Sequence, residues 1–148
     1  MPGRYLVRPF HPSDLRRVLA IERAGFGEWA WDRNLFAEYA RSCGGGFLVA
    51  LEGDKVIGYC IACVSRGAAS VESIAVAPAV QGRGAADALL RAALKCLRNQ
   101  GITRVTLMVK VTNERALAFY EKSGFRKLRR VPRYYEDGAD GVLMRLVV

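Results

Sequence analysis

The stretch AVAPAVQGRGAADALLRAAL, residues 75 to 94, is where the residue types of this chain first suggest chemistry. A β-like segment ends there, Gln81, Gly82, Arg83, Gly84, Ala85 and Ala86 follow, and an alanine- and leucine-rich helical pattern begins. Glycine is costly inside regular structure, so such a cluster marks an unusual backbone angle or the close approach of another group. The first N–H groups of a helix have no intrahelical partners and lie at its positive end, which suits an anion, phosphate above all. Arg83 adds a charge-assisted contact from the same turn. The chain has no G-K-[ST] and no complete G-x-G-x-x-G, so neither a P-loop nor a dinucleotide fingerprint is present. Without a ligand the same residues would be a glycine-rich turn from strand to helix.

Other chemistries find less material. CIAC, residues 60 to 63, has the spacing of zinc and redox sites but sits inside VIGYCIACVS, which reads as a strand. Side chains alternate along a strand, so Cys60 and Cys63 face opposite sides and cannot easily share a metal. Together with Cys43 and Cys96 they read as core cysteines. His11 is the single histidine, and no metal site is expected.

These residues need a scaffold. At 148 residues and 51% hydrophobic content the chain suits one globular domain, 1–148, that buries roughly two-thirds of its unfolded surface. No apolar run approaches the roughly 20 residues of a membrane span, and MPGRYLVRPFHPSDL lacks the apolar core of a signal peptide. A cytoplasmic protein is expected.

The pattern along the chain is β-α-α-β-β-β-α-β-α-β-β, one mixed α/β domain. Asp32 caps the second helix, Glu52-Gly53-Asp54 turns a hairpin, and Gly101 ends the helix that begins near Ala85. The net charge is +9, part of it concentrated in FRKLRRVPR, residues 125 to 133. Such a run is a solvated face, or a surface for nucleic acid or the ribosome.

Gln81-x-x-Gly84-x-Ala86 resembles the Q/R-x-x-G-x-G/A signature of the GNAT superfamily of N-acetyltransferases. TNERALAFYEKSGF, residues 112 to 125, resembles that family's later N-x-x-A-x-x-F-Y-x-x-x-G-F motif, and the likeness covers essentially the whole chain. The resemblance implies an α/β fold with a mixed, mostly antiparallel sheet of about seven strands, about four helices and a V-shaped cleft between the fourth and fifth strands. It implies acetyl-CoA as co-substrate, its pyrophosphate held by Gln81, Gly82, Arg83, Gly84, Ala85 and Ala86. The backbone of Ile74, Ala75 and Val76 would hold the pantetheine arm and polarise the acetyl carbonyl. Asn113 would contact the cofactor while capping a helix, and Tyr120 would protonate the departing sulfur. Tyr120 would otherwise be a core aromatic.

The chain departs from the pattern at Met108. Ribosomal-protein alanine N-acetyltransferases carry glutamate there, and some eukaryotic relatives histidine. Methionine cannot accept a proton, so Glu72 becomes the candidate base, as a partly buried carboxylate of raised pKa with Ser70 on its face. The alternative is a surface glutamate on a strand edge.

VPRYYEDGADGVLMRL, residues 131 to 146, resembles the P-x-Y-Y-x-D-G-x-D-A-x-x-M segment of N-terminal (Nα) acetyltransferases. Tyr134 and Tyr135 would hold the backbone of an acceptor peptide, with Gly141 a minor change from alanine. IERAGFGEWAWDRNLF resembles the peptide-entry stretch of that subfamily, so Trp31 (with Phe26 and Trp29) would shape a pocket for the first acceptor residue. An α-amino group titrates near 7.7 to 8, far below lysine, so a weak base suffices for it. Transfer of acetyl to a protein N-terminus is therefore expected, a ribosomal protein being one candidate, by a monomer or homodimer. The alternatives are a lysine or small-amine acetyltransferase and a basic module that binds RNA or the ribosome.

Overall fold

KVIGYCIACVS is apolar almost throughout because both faces of its strand are covered. A computed structural model describes residues 4–148. Seven strands, β1 (Leu6–Pro9), β2 (Phe47–Glu52), β3 (Lys55–Ser65), β4 (Ala68–Val76), β5 (Arg104–Lys110), β6 (Arg126–Val131) and β7 (Gly141–Val147), form one sheet in the order β1-β2-β3-β4-β5-β7-β6. Helices α1 (Leu15–Phe26) and α2 (Arg33–Cys43) pack on one face through Val18, Ile21 and Phe36. Helices α3 (Ala85–Asn99) and α4 (Glu114–Lys122) pack on the other through Leu89, Leu90, Leu97 and Leu117. Along β3, Tyr59 and Ile61 enter the first core, Cys60 and Ala62 the second. Among the described residues no helix is long and apolar enough to cross a membrane.

The caps follow the sequence. Asp32 Oδ1 accepts the Leu35 N–H at 3.0 Å, and Asn113 Oδ1 accepts the Ala116 N–H at 3.1 Å. Gly101, at φ +81°, closes α3 with the Ile102 N–H returning to the Leu97 carbonyl at 3.1 Å. The basic run forms the exposed edge strand β6, in which Lys127 meets Glu121 and Arg130 meets Asp140.

The cysteines correct the expectation in part. Cys60 is a buried core thiol, pushed up to about 12 by desolvation. Cys43 and Cys63, with Cα atoms 4.8 Å apart, form a disulfide instead of two separate core thiols. Cys43 ends α2 on the face to which Cys63 points, a juxtaposition created by helix-on-sheet packing and not by any local spacing.

An ion pair holds the first turn of α1. Arg8 binds both oxygens of the buried Asp14 carboxylate, at 2.7 and 3.0 Å, and the His11 N–H donates to Asp14 Oδ2 at 2.8 Å. The Arg8 hydrogen bonds hold the Asp14 carboxyl below its ordinary range. A depressed folded-state pKa adds stability that is present above the unfolded value, near 3.9, and is lost as pH falls through the folded value. Asp14→Asn should therefore lower stability by about 1–3 kcal/mol at pH 7, with the deficit shrinking below about pH 4. Urea denaturation across pH 2.5 to 7 measures this. A deficit independent of pH would assign the loss to packing.

Among the described residues β4 and β5 are the only parallel neighbours, and they pair only from Ala69, Ser70 and Val71 to Val105, Thr106 and Leu107. Beyond them β4 stays on β3 as far as Val76, while β5 stays on β7 as far as Lys110. The sheet therefore opens into a V between Glu72–Val76 and Met108–Lys110. The cause is local. Ile61 pairs with Ser73 and Ala62 with Val71, which leaves Glu72 as an extra, bulged residue, and a bulge bends its strand and re-aims a side chain.

Candidate functional site

The V separates two environments. On the α3 face, β4 runs through a short 3₁₀ turn, Pro78–Val80, into the glycine loop. Gly82 (φ +79°) and Gly84 (φ +90°) both take the left-handed conformation, and Gly84 caps α3 with no side chain filling the cap. Gln81 ties the loop down, its amide donating to the Val76 carbonyl at 3.2 Å and accepting from Arg115 at 3.1 Å. Arg83 is exposed, and Asp87, the acidic group of the first turn, is neutralised by Arg91 at 2.7 Å. The open N-terminus of α3 thus suits an anionic ligand such as a pyrophosphate. The edge of Ile74, Ala75 and Val76 that faces β5 has no strand partner among the described residues. Asn113 is exposed at the start of α4, its carbonyl used in the cap and its amide nitrogen left over.

Tyr120 is 7% exposed and lies between the Phe119 and Phe125 rings, with centroids at 5.1 and 5.7 Å. Burial raises its pKa, and the Cys60 thiol and Tyr135 hydroxyl nearby act in the same direction, so the phenol stays protonated.

On the α1–α2 face the V opens into a cavity of about 570 Å³. Trp29, Trp31 and Tyr39 form one wall, Glu72 and Met108 the floor, and Tyr134 and Tyr135 the opposite wall. The structure thus brings Glu72, Trp31, Tyr134 and Tyr135 into one cavity. Glu72 is exposed to it rather than partly buried, because the bulge turns it out of the sheet. Its Oε1 accepts from Ser70 Oγ at 2.8 Å.

The loop that carries the tyrosines is built by the two aspartates of its motif. Asp137 accepts from Lys110 Nζ at 2.7 Å and from the Ala139 N–H at 3.0 Å. Asp140 accepts from Arg130 Nε at 2.5 Å and from the Arg133 N–H at 2.9 Å. Tyr134, 52% exposed, meets Tyr135 edge to face at 5.0 Å, and the Lys110 ammonium lies 5.3 Å from the Tyr135 ring centre. Burial pushes the Tyr135 hydroxyl up to about 12.

Sequence reading missed Tyr39, whose ring stacks on Trp31 at 5.1 Å. Its spacing three residues after the buried Phe36 was the available signal, since i and i+3 share a helix face. It also passed over Lys110, which alternates with Thr106 and Met108 along β5 and so faces the same cavity. Among the described residues no cluster of ligating side chains could hold a metal ion.

Gly141 is more than a minor change. A Cβ there would stand 2.8 Å from Met108 Sδ, 3.0 Å from Met108 Cγ and 3.2 Å from Tyr134 Cβ. The methionine in place of glutamate and the glycine in place of alanine therefore fit each other. Gly141→Ala should push the Met108 thioether into the cavity, raising the dissociation constant of a ligand held there by about three- to tenfold, with little change for an anion held at the glycine loop. Adding Met108→Ala should reverse most of that rise. Additive effects of the two changes would overturn the coupling.

Residues 15–125 match the model of the acetyltransferase (GNAT) family. An N-alpha-acetyltransferase of Saccharolobus solfataricus is 29% identical, over 95% of this chain and 91% of that protein. The crystal structure of Ard1 from Thermoplasma volcanium superposes with a TM-score of 0.93 at 28% identity, covering 98% of both chains. A ribosomal-protein alanine N-acetyltransferase from Escherichia coli superposes at 0.86 with 26% identity, over 97% of this chain and 94% of that one.

Proposed function

The chain belongs to the GNAT acetyltransferase family, and from that premise we propose that it transfers acetyl from acetyl-CoA directly to the α-amino group of a protein or peptide N-terminus. The observation that carries this reading is the cavity on the α1–α2 face, about 570 Å³ in volume and lined by the paired tyrosines together with Trp29, Trp31 and Tyr39. A small amine needs no such walls. The names of the relatives support the same acceptor class, that of the Escherichia coli protein giving a ribosomal protein as its own substrate.

In this mechanism the glycine loop binds the pyrophosphate and Asn113 contacts the cofactor. The free edge of Ile74, Ala75 and Val76 aligns the thioester through the V and polarises its carbonyl. The acceptor enters from the other side, its backbone against Tyr134 and Tyr135 and its first side chain against Trp31. Glu72, held by Ser70, takes the proton of the α-amino group directly or through a water. An amine that titrates near 8 is partly neutral already, so an exposed carboxylate is a sufficient base. The neutral nitrogen attacks the acetyl carbonyl, its surplus N–H proton passes to solvent, the C–S bond breaks as Tyr120 gives its proton to the sulfur, and the phenolate is reprotonated from water. The absence of a membrane-spanning helix among the described residues is compatible with a cytoplasmic enzyme.

The test offers the purified protein acetyl-CoA and two peptide sets, read by mass spectrometry. One set has free N-termini and no lysine, the other blocked N-termini and an internal lysine. Acetyl gain on free N-termini alone is expected. Gain on lysine alone would move the acceptor assignment to side-chain amines.

A further inference from the structure

Glu22 lies on the buried face of α1, 2% exposed, and the mechanism above does not use it. No salt bridge reaches it among the described residues. Its oxygens are met instead by two neutral donors. The Trp31 N–H donates to Oε2 at 2.8 Å, and the Tyr59 hydroxyl donates to Oε1. Tyr59 is fully buried on β3, and its hydroxyl oxygen also contacts Ser73 Oγ at 2.9 Å. One carboxylate therefore joins α1, the segment leading into α2, β3 and β4.

A buried acid without a cation is poorly suited to stability alone, because apolar packing of the same volume does as well or better. Its geometry fits another task. Trp31 is held by its backbone, and its ring then lies on Tyr39 as the cavity wall. Ser73 stands between the bulged Glu72 and Ile74, so the Tyr59 hydroxyl pins β4 where the V opens. One end of the network reaches the aromatic wall of the acceptor cavity at Trp31, and the other ends on Ser73, the chain neighbour of Glu72 on its floor.

We infer that Glu22 is a positioning residue for the acceptor, setting through Trp31 and Tyr59–Ser73 the distance between the aromatic wall and Glu72. The inference rests on the acceptor cavity assigned above. It also has a readout that needs no activity. The chain has two tryptophans, Trp29 and Trp31, and both lie on this wall, so emission excited selectively from tryptophan over tyrosine reports on the wall.

The experiment compares Glu22→Leu, Glu22→Gln and Tyr59→Phe with the parent chain. It measures tryptophan emission, acrylamide quenching, thermal midpoint, the acetyl-CoA dissociation constant and the KM of a peptide with a free N-terminus. Glu22→Leu is expected to keep or raise the thermal midpoint and acetyl-CoA affinity. Its emission should shift to the red, quenching should increase, and peptide KM should rise about tenfold. Glu22→Gln, which can still accept from Trp31, should restore emission and bring KM back to within about threefold of the parent. If Glu22→Leu does not fold, Tyr59→Phe carries the test, with a peptide KM raised about threefold and acetyl-CoA affinity unchanged. Unchanged emission and peptide KM in a folded Glu22→Leu protein would overturn the inference. So would equal losses for both substrates. A parent chain that acetylates no free N-terminus would instead overturn the acceptor assignment, and the fluorescence comparison would still decide whether Glu22 sets the wall.

Discussion

On the proposed mechanism, Tyr120→Phe should lower kcat at least about a hundredfold and leave the acetyl-CoA dissociation constant within about twofold. The thiolate that leaves is strongly basic for a leaving group, a free thiol titrating near 8.5. In that mechanism a neutral phenol beside the sulfur would lower the barrier by sharing, then giving, its proton. Burial raises the Tyr120 pKa from 10, so the acid is in its protonated form throughout the working range. The rate should not fall for want of this proton at any pH below about 10. Phenylalanine preserves the ring that packs between Phe119 and Phe125, so the change removes a hydroxyl and nothing else from the core. Steady-state rates at saturating substrates, with calorimetric binding of acetyl-CoA, measure both quantities. A loss of less than about threefold would make Tyr120 a packing residue and leave protonation of the sulfur to water.

Gly46→Ala should unfold the chain some 6–12 °C earlier, the largest stability loss expected of so small a substitution here. Gly46 ends the turn after α2 and immediately precedes Phe47, the fully buried first residue of β2. A Cβ at Gly46 would stand 1.8 Å from the Ala62 carbonyl oxygen and 3.0 Å from its carbon, both backbone atoms of β3. A flexible side chain could move aside, but a paired strand cannot. The Phe47–Ile61 end of the β2–β3 ladder would have to part, with the Cys43–Cys63 disulfide holding the chain close on either side. Overpacking of this kind costs about 3 kcal/mol or more, which for a chain of this size corresponds to the stated shift. Gly45→Ala is the control, since a Cβ at Gly45 meets nothing within 4 Å. It should change stability by less than about 0.5 kcal/mol. Similar midpoints for the two variants in a thermal melt would show that the turn relaxes.

The sequence by itself determined the features that depend on near neighbours. Apolar alternation and helical spacing are local, so the order of strands and helices was legible, as were the caps at Asp32 and Asn113 and the stop at Gly101. The glycine loop was legible for the same reason. Its left-handed angles at Gly82 and Gly84 and the open start of α3 all arise within a few residues of chain.

The tertiary structure decided whatever depends on which distant segments meet. The bulge at Glu72 exists only in the register of β4 against β3, and it turns an expected half-buried carboxylate into an exposed one on a cavity floor. Gly141 and Met108 read as two separate departures in sequence, yet they are one adjustment because β5 and β7 pair side by side and bring them together. Cys43 and Cys63 meet because α2 lies on β3. Glu22, Tyr59 and Ser73 had no visible relation in the chain. Local pattern sets which element forms, whereas side-chain contacts across elements are set by packing, and packing is where the cavity of this site is made.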